Sequence, residues 1–319
     1  MSITITSPIN NSEILWKTPV TFKGQAEGEV VKVELFAEQY HLGGDDVKSG
    51  DWIVNYPGFN KPGLRKIRIV GLDKDGNRVD STEIAIVASV NPKGFERGID
   101  VSDHDGFVNW PQVRSAGFTF AFAKATEGRT WKADTFPKNW RQIQGSGIIR
   151  GAYHFFRPSV DPKEQARNFL NYVASVEPIQ PEDLPPALDL EHFPDSVRRE
   201  WESVSKNERV KRVRTWIDIV ETEINRKPII YTSFGFWDEF MPGVKDFSSY
   251  PLWVAHYPTN PRLNNPKPLI PKEWKTWAFW QYSDRTEVPG IPAPDEDSNL
   301  FNGSLGELLA LVPSTIITT

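Results

Sequence analysis

The sequence contains no cysteine, and its 319 residues include only two methionines and five histidines. Without cysteine there is no disulfide framework, no thiolate metal site and no cysteine nucleophile, and so few histidines leave little room for a His-rich metal centre. No apolar run approaches the roughly 18 residues of a membrane-spanning helix. Residues 1–10 also lack the basic start and the apolar stretch of a secretory signal peptide. We therefore expect neither a membrane span nor a Sec-type export signal.

A strong charge of one sign is missing as well. The 37 Lys and Arg residues nearly balance the 42 Asp and Glu residues, and the formal net charge is only -5. A nucleic-acid-binding protein needs a basic face for phosphates, so we expect no nucleic-acid partner. The chain also lacks a Gly-rich phosphate cradle, a serine nucleophile elbow and a His-Glu-x-x-His pair. We therefore predict no cofactor and no metal.

Aromatic residues are plentiful, with 12 Trp, 8 Tyr and 19 Phe. Such rings build cores, but on a surface they also stack against the flat apolar faces of sugars. Ten of the 12 Trp follow residue 93. The composition is therefore compatible with a carbohydrate ligand for the C-terminal part, and the length favours two domains.

The first 93 residues are typical of a small all-β domain. Short β-branched or alternating runs recur about every ten residues and are separated by turn residues, such as the Gly-Gly-Asp-Asp segment at 43–46. This spacing predicts an immunoglobulin-like β-sandwich over 1–93, with a linker at 91–94. The expected strands lie at 2–6, 20–25, 30–37, 51–56, 64–72 and 82–88.

Residues 94–319 change to an alternation of strands and helices, which predicts an α/β fold with parallel strands. Roughly 220 residues suit a TIM-like barrel. No long helix is expected between 231 and 282, so the barrel should be irregular. The expected strands lie at 98–102, 118–124, 148–155, 187–191, 228–232, 252–255 and 276–282, and the main helices at 134–144, 162–176 and 206–224.

Polar residues end nearly every predicted barrel strand. Because the carboxyl ends of barrel strands carry the active site, this recurrence favours catalysis over simple contact with solvent. The residues are Asp100, Ser102, Lys124 with Glu127, Tyr153, His154, Asp189, Glu191, Tyr231, His256 and Gln281.

Asp189 and Glu191 end one strand and project from the same face of it, about 6 to 7 Å apart at the backbone. Each carboxylate raises the pKa of the other, so one can stay protonated near neutral pH as a general acid. The alternative is a solvated acidic pair. Asp100 and Asp297 are ordinary acids that could close the ring from the first and last strands.

Seven segments within residues 97–312 follow one another in a recognisable order. They are Gly-Ile-Asp-Val-Ser at 98–102, Phe-Ala-Lys-Ala-Thr-Glu-Gly at 122–128, Gly-Ala-Tyr-His-Phe at 151–155, Ala-Leu-Asp-Leu-Glu at 187–191, Pro-Ile-Ile-Tyr-Thr at 228–232, Leu-Trp-Val-Ala at 252–255 and Trp-Gln-Tyr-Ser at 280–283. Together these segments resemble the glycoside hydrolase family 25 lysozymes, the Chalaropsis-type N-acetylmuramidases. The resemblance implies a barrel of five α/β units and three further strands, which cleaves the β-1,4 bond between N-acetylmuramic acid and N-acetylglucosamine in peptidoglycan.

The resemblance also implies site roles and net retention. Glu191 would be the general acid/base, with Asp189, Asp100 and Asp297 as acidic partners. We choose Asp297 over Asp295 because only Asp297 fits an Asp-x-Asn-x-Phe run. The expected saccharide-binding residues are Tyr153, His154, Lys124, Glu127, Tyr231, Trp253 and Gln281.

Two routes to retention stay open: a carboxylate nucleophile, or attack by the N-acetyl oxygen of the substrate. The spacing of Asp189 and Glu191 exceeds the roughly 5 to 5.5 Å of nucleophile pairs, which favours the acetamido route, with Asp189 or Asp297 polarising the amide. A non-catalytic wall-binding protein and a chitinase-like enzyme are the alternatives.

The predicted partner is the peptidoglycan glycan strand. The enzyme would be made in the cytoplasm and reach the wall by phage-type release, as an endolysin does, or by non-Sec export. Residues 1–93 would either bind the wall or act as a spacer or assembly module.

Overall fold

The structure is a computed structural model of the chain and describes residues 2–10, 12–15, 17–60, 63–89, 94–263, 265–292 and 296–311. The chain divides into two compact units, residues 1–93 with 304–306, and residues 94–303 with 307–319. The predicted linker at 91–94 lies outside the described residues except for Gly94, and Asp295 lies outside them too.

The first unit consists of β-strands in two sheets that share one apolar core. The three-stranded sheet has the order β1-β3-β6, and the five-stranded sheet has the order β2-β8-β7-β4-β5. Neighbouring strands are antiparallel except β2 and β8. Burial alternates along the whole of β3, so Phe22 faces the core, where Trp52, Leu35 and Ile67 also lie. The strands are β1 (Ser2–Ser7), β2 (Ser12–Leu15), β3 (Val20–Glu27), β4 (Lys32–Ala37), β5 (Tyr40–Asp46), β6 (Asp51–Tyr56), β7 (Gly63–Leu72) and β8 (Arg78–Ser89).

The prediction of a turn at 43–46 is wrong, because this segment belongs to strand β5. Gly43 and Gly44 pair with Leu35 and Glu34 of β4. A Cβ atom on Gly44 would lie 2.8 Å from the Val33 carbonyl oxygen, so the glycine permits a close approach of two strands rather than a reversal of the chain.

The second unit is a closed barrel of eight strands, with the short β11 added beside β10. Apart from β11, which pairs antiparallel with β10, the strands from β9 to β16 pair in parallel, and β17 closes the barrel by pairing antiparallel with both β16 and β9. The strands are β9 (Glu96–Val101), β10 (Phe120–Glu127), β11 (Trp131–Lys132), β12 (Ile149–Phe155), β13 (Ala187–Asp189), β14 (Ile229–Ser233), β15 (Leu252–Ala255), β16 (Phe279–Thr286) and β17 (Glu296–Phe301).

Helices follow each of the first five main strands, while β15, β16 and β17 follow one another without an intervening helix. This order confirms the expected five α/β units and three further strands. None of the helices in the described part of the chain is long and apolar enough to span a membrane. The helices are α1 (Trp110–Ser115), α2 (Phe136–Gly145), α3 (Pro162–Val176), α4 (Asp195–Ser203), α5 (Lys206–Ile224), α6 (Phe234–Phe240) and α7 (Leu305–Ala310), with a 3-10 turn at Asp103–Asp105.

Aromatic side chains fill the interior of the barrel. The Phe122 ring stacks on Trp253 with centroids 4.4 Å apart, and Phe279 contacts both Phe120 and Phe122 at 5.3 Å. Gly98 makes room for this layer, since a Cβ atom there would lie 2.3 Å from the Phe120 ring. The layer is an apolar floor beneath the carboxyl ends of the parallel strands.

Candidate active site

Asp100, at the end of β9, is the centre of a hydrogen-bonded cluster above this floor. The Gln281 amide nitrogen donates to both carboxylate oxygens of Asp100, at 3.1 and 2.8 Å, and the Asn299 amide donates to Oδ2 at 2.7 Å. The Gln281 carbonyl oxygen accepts hydrogen bonds from the hydroxyls of Tyr231 at 2.7 Å and Tyr257 at 2.5 Å. The two tyrosines thereby fix the orientation in which Gln281 presents its donors to Asp100.

Asp297 lies directly across from Asp100, because the two residues pair in the antiparallel register of β17 and β9. Burial raises the pKa of Asp297 to about 9, and the neighbouring Asp100 charge adds to the rise. Burial also raises the pKa of Asp100, but only to about 6, because Asn299 and Gln281 donate to its ionised form. The pair therefore shares one proton, which Asp297 carries at neutral pH.

The second acidic pair, Asp189 and Glu191, lies at the carboxyl end of β13. Asp189 is 6% exposed, and its Oδ1 atom has no hydrogen-bond partner among the described residues. Burial, then the nearby Glu191, raises the pKa of Asp189 well above its ordinary value. Glu191 is only half-buried. Burial raises its pKa to about 7, against the opposing charge of Lys124. Glu191 thus combines a pKa near neutral pH with partial exposure to solvent.

Lys124 and Glu127 line the site as an ion pair, with Nζ 3.0 Å from Oε2. Arg157 holds the other Glu127 oxygen at 2.8 Å, and the Lys124 ammonium lies 4.7 Å from the centre of the Phe155 ring. Burial alone would raise the pKa of Glu127, but Lys124 and Arg157 hold it below its ordinary value. These contacts keep a fixed positive charge close to Asp189 and Glu191.

A small open pocket of about 60 Å³ adjoins Glu191 on the side of β14 and β15. The Trp201 indole nitrogen donates to the Glu191 carbonyl oxygen at 2.8 Å and so holds the backbone at this point. The pocket is lined by Glu191, His192, Phe193, Tyr231, Ser233 and Ala255.

Two residues predicted to contact saccharide are buried. His154 is not brought to the cluster, because alternation along β12 sends Tyr153 inward and His154 outward. His154 is fully buried, bonded to Thr126 at 2.7 Å and stacked on Trp216. Trp253 is 1% exposed and lies in the aromatic layer, but its indole nitrogen donates to Asn299 Oδ1 at 2.7 Å, so it supports the cluster from below.

Sequence reasoning missed two members of the cluster, Asn299 and Tyr257. Asn299 had a signal, since it lies two residues after Asp297 and so faces the same side of β17. Tyr257 had none, because it follows β15 in an irregular loop. Within the described residues, no three His, Asp or Glu side chains are arranged to hold a metal ion.

A barrel that gathers carboxyl groups at the ends of its strands, one of them protonated near neutral pH, defines a carboxylate-dependent glycoside hydrolase. The family model described as glycosyl hydrolases family 25 matches residues 99–291. The chain belongs to this family of lysozymes and N-acetylmuramidases, which act on the bacterial cell wall.

Known proteins are similar to the barrel. Lysozyme M1 of Streptomyces globisporus is 35% identical over 224 residues, which cover 69% of this chain and 72% of the relative. The uncharacterized protein YegX of Escherichia coli strain K12 is 40% identical over 220 residues, 67% of this chain and 72% of its own length. The crystal structure of a lysozyme from Streptomyces coelicolor superposes with a TM-score of 0.60 at 35% identity, over 68% of this chain and 96% of that one.

Proposed function

We propose that the protein is a lysozyme that hydrolyses the β-1,4 bond between N-acetylmuramic acid and N-acetylglucosamine in peptidoglycan, with Glu191 as general acid/base. The observation that carries this proposal is the environment of Glu191. Its carboxyl borders an open pocket, has a pKa of about 7, and adjoins the buried acids Asp189 and Asp100. A glycosidic oxygen needs such a proton donor before its bond to the sugar can break.

In the proposed mechanism, Glu191 gives its proton to the leaving oxygen as the bond to the anomeric carbon breaks. The acetamido oxygen of the substrate attacks that carbon from the other face, and the ionised Asp100 lies in the site where positive charge develops. Glu191, now ionised, then takes a proton from the water that opens the intermediate. Two inversions produce net retention.

The unpartnered oxygen of Asp189 supports the acetamido route. A buried oxygen without a hydrogen bond is costly, and an amide N–H of the substrate would satisfy it. Asp297 is less suited to this role, because it is hydrogen-bonded to Asp100. A glycosyl adduct on Asp189, Asp100 or Asp297, trapped and found by mass spectrometry, would overturn this route in favour of a carboxylate nucleophile.

Digestion of purified cell walls tests the function. We expect new reducing ends on muramic acid, and we expect the variant Glu191→Gln to fold but release none. New amino termini, or binding to walls without cleavage, would contradict the proposal. Cleavage of chitin oligomers but not of walls would instead identify a chitinase-like enzyme.

We propose further that residues 1–93 bind wall polymer and so raise the local concentration of substrate for the barrel. The test is to measure how much Glu191→Gln protein, with and without these residues, sediments with purified walls. Equal binding of the two proteins would favour a spacer or assembly role.

A further inference from the structure

The residues expected to form the saccharide groove offer little ring surface to a ligand. Tyr153 and Tyr231 are 9% and 8% exposed, and Trp253 is 1% exposed. A sugar cannot stack on a ring that is already covered. The aromatic contact with the glycan must therefore come from other side chains at this end of the barrel.

The exposed aromatic rings of the barrel all lie beyond the carboxyl ends of parallel strands. Phe107 follows β9, Trp131 follows β10, Phe193 follows β13 and Tyr257 follows β15. Exposed apolar side chains gathered at one end of a domain mark a binding surface. Of these four rings, the one that borders the pocket of Glu191 is the candidate for contact with the sugar at the scissile bond.

Phe193 stands apart from the other three rings. It is 74% exposed, the most exposed large apolar side chain among the described residues. The Lys138 ammonium lies 4.1 Å from the centre of the Phe107 ring, and the Lys124 ammonium lies 5.0 Å from the centre of the Trp131 ring. Only Phe193 of the four lines the pocket that also contains Glu191.

The backbone on both sides of Phe193 is held in place. The Glu191 carbonyl accepts the Trp201 indole hydrogen bond, and the His192 ring stacks on Phe236 at 6.0 Å with an interplanar angle of 9°. Helix α4 begins directly afterwards, where the Val197 amide donates to the Pro194 carbonyl at 2.8 Å. The ring is thus presented to solvent on an ordered support, and little conformational entropy is lost when a ligand covers it.

We propose that Phe193 is the stacking platform for the sugar ring that adjoins the scissile bond. This inference rests on the proposed function. A β-1,4-linked hexopyranose carries its substituents equatorially, so it has a flat C–H face that matches an aromatic ring. Phe193 lines a small open pocket of about 60 Å³ together with Glu191, so a sugar stacked on the ring lies next to the proposed general acid.

Steady-state hydrolysis of soluble peptidoglycan fragments tests the platform. We expect Phe193→Ala to raise KM about three- to ten-fold with kcat nearly unchanged, the loss that one aromatic contact corresponds to. Phe193→Tyr should keep the wild-type KM. The KM of Phe193→Leu should lie between those of the wild type and Phe193→Ala, because leucine keeps apolar area without a flat face. Phe107→Ala is the matched control and should leave KM unchanged.

An unchanged KM in Phe193→Ala, or a fall in kcat with KM constant, would overturn the platform while leaving the proposed function intact. A rise in KM for Phe193→Tyr as large as that for Phe193→Ala would overturn it too. If the wild-type protein releases no reducing ends from these fragments, the proposed function fails, and the platform fails with it.

Discussion

Replacing Glu191 by glutamine should stabilise the protein while it abolishes activity. The folded state holds the pKa of Glu191 at about 7, against an ordinary value of 4.5, because burial disfavours the charged form. As the pH rises from 4.5 to 7, the unfolded chain gives up this proton and the folded chain keeps it. The wild-type protein therefore loses stability across that window.

The size of the loss follows from the same two values. At about 1.36 kcal/mol per pH unit, the interval from 4.5 to 7 corresponds to at most about 3 kcal/mol above pH 7. Glu191→Gln cannot ionise and escapes this loss. We expect the variant and the wild type to be equally stable near pH 4 and the variant to be more stable at pH 8, while hydrolysis falls by about 10²- to 10⁴-fold.

Urea unfolding followed by tryptophan fluorescence at both pH values measures the effect. Glu200→Gln is the matched control, because its stability at pH 8 should change in the opposite direction. Burial alone would raise the pKa of Glu200, but hydrogen bonds from Arg157 and Ser159 hold it below its ordinary value. This variant should be less stable than wild type at pH 8, with a deficit that shrinks below pH 4.5. A Glu191→Gln protein with wild-type stability at pH 8 would refute the raised pKa of Glu191.

Lys124→Met should move the alkaline limit of hydrolysis to higher pH, since burial raises the pKa of Glu191 and Lys124 opposes that rise. A pH profile of reducing-end release measures this limit. An unchanged limit would contradict the claim that the charge of Lys124 lowers the pKa of Glu191. Gly98→Ala should destabilise the protein by about 1–3 kcal/mol, because the new Cβ would lie 2.3 Å from the Phe120 ring. Gly145→Ala, with open space around its Cβ, is the control, and equal urea midpoints for both variants would contradict this reasoning.

Local signals explain why most of the barrel was predictable. Helices α3 and α5 begin and end where the sequence predicts, at 162–176 and 206–224. For α3 the signal is explicit, since the Asp161 side chain accepts a hydrogen bond from the Lys163 amide and Pro162 opens the first turn. Helix α4 was missed, because only Val197 and Trp201 of its nine residues are buried, which leaves a weak apolar period in the sequence.

The contacts of Asp100 were not predictable in the same way. Gln281 and Asn299 lie 181 and 199 residues away along the chain, and they reach Asp100 because the barrel closes between its last and first strands. A residue pattern identifies polar strand ends, but closure decides which of them meet. Tyr257 shows the limit most clearly, since an irregular loop and not a strand period brings it to Gln281.

The antiparallel direction of β17 has a consequence for how the barrel can be combined with other modules. The chain enters the barrel at Glu96 and leaves it at Phe301, and these two residues are paired neighbours. Asp100 and Asp297 pair further along the same ladder, at the reactive end. Entry and exit are therefore side by side at the end remote from the carboxyl cluster. Such a barrel can be inserted into, or fused with, other chains through connections at the end away from the carboxyl cluster.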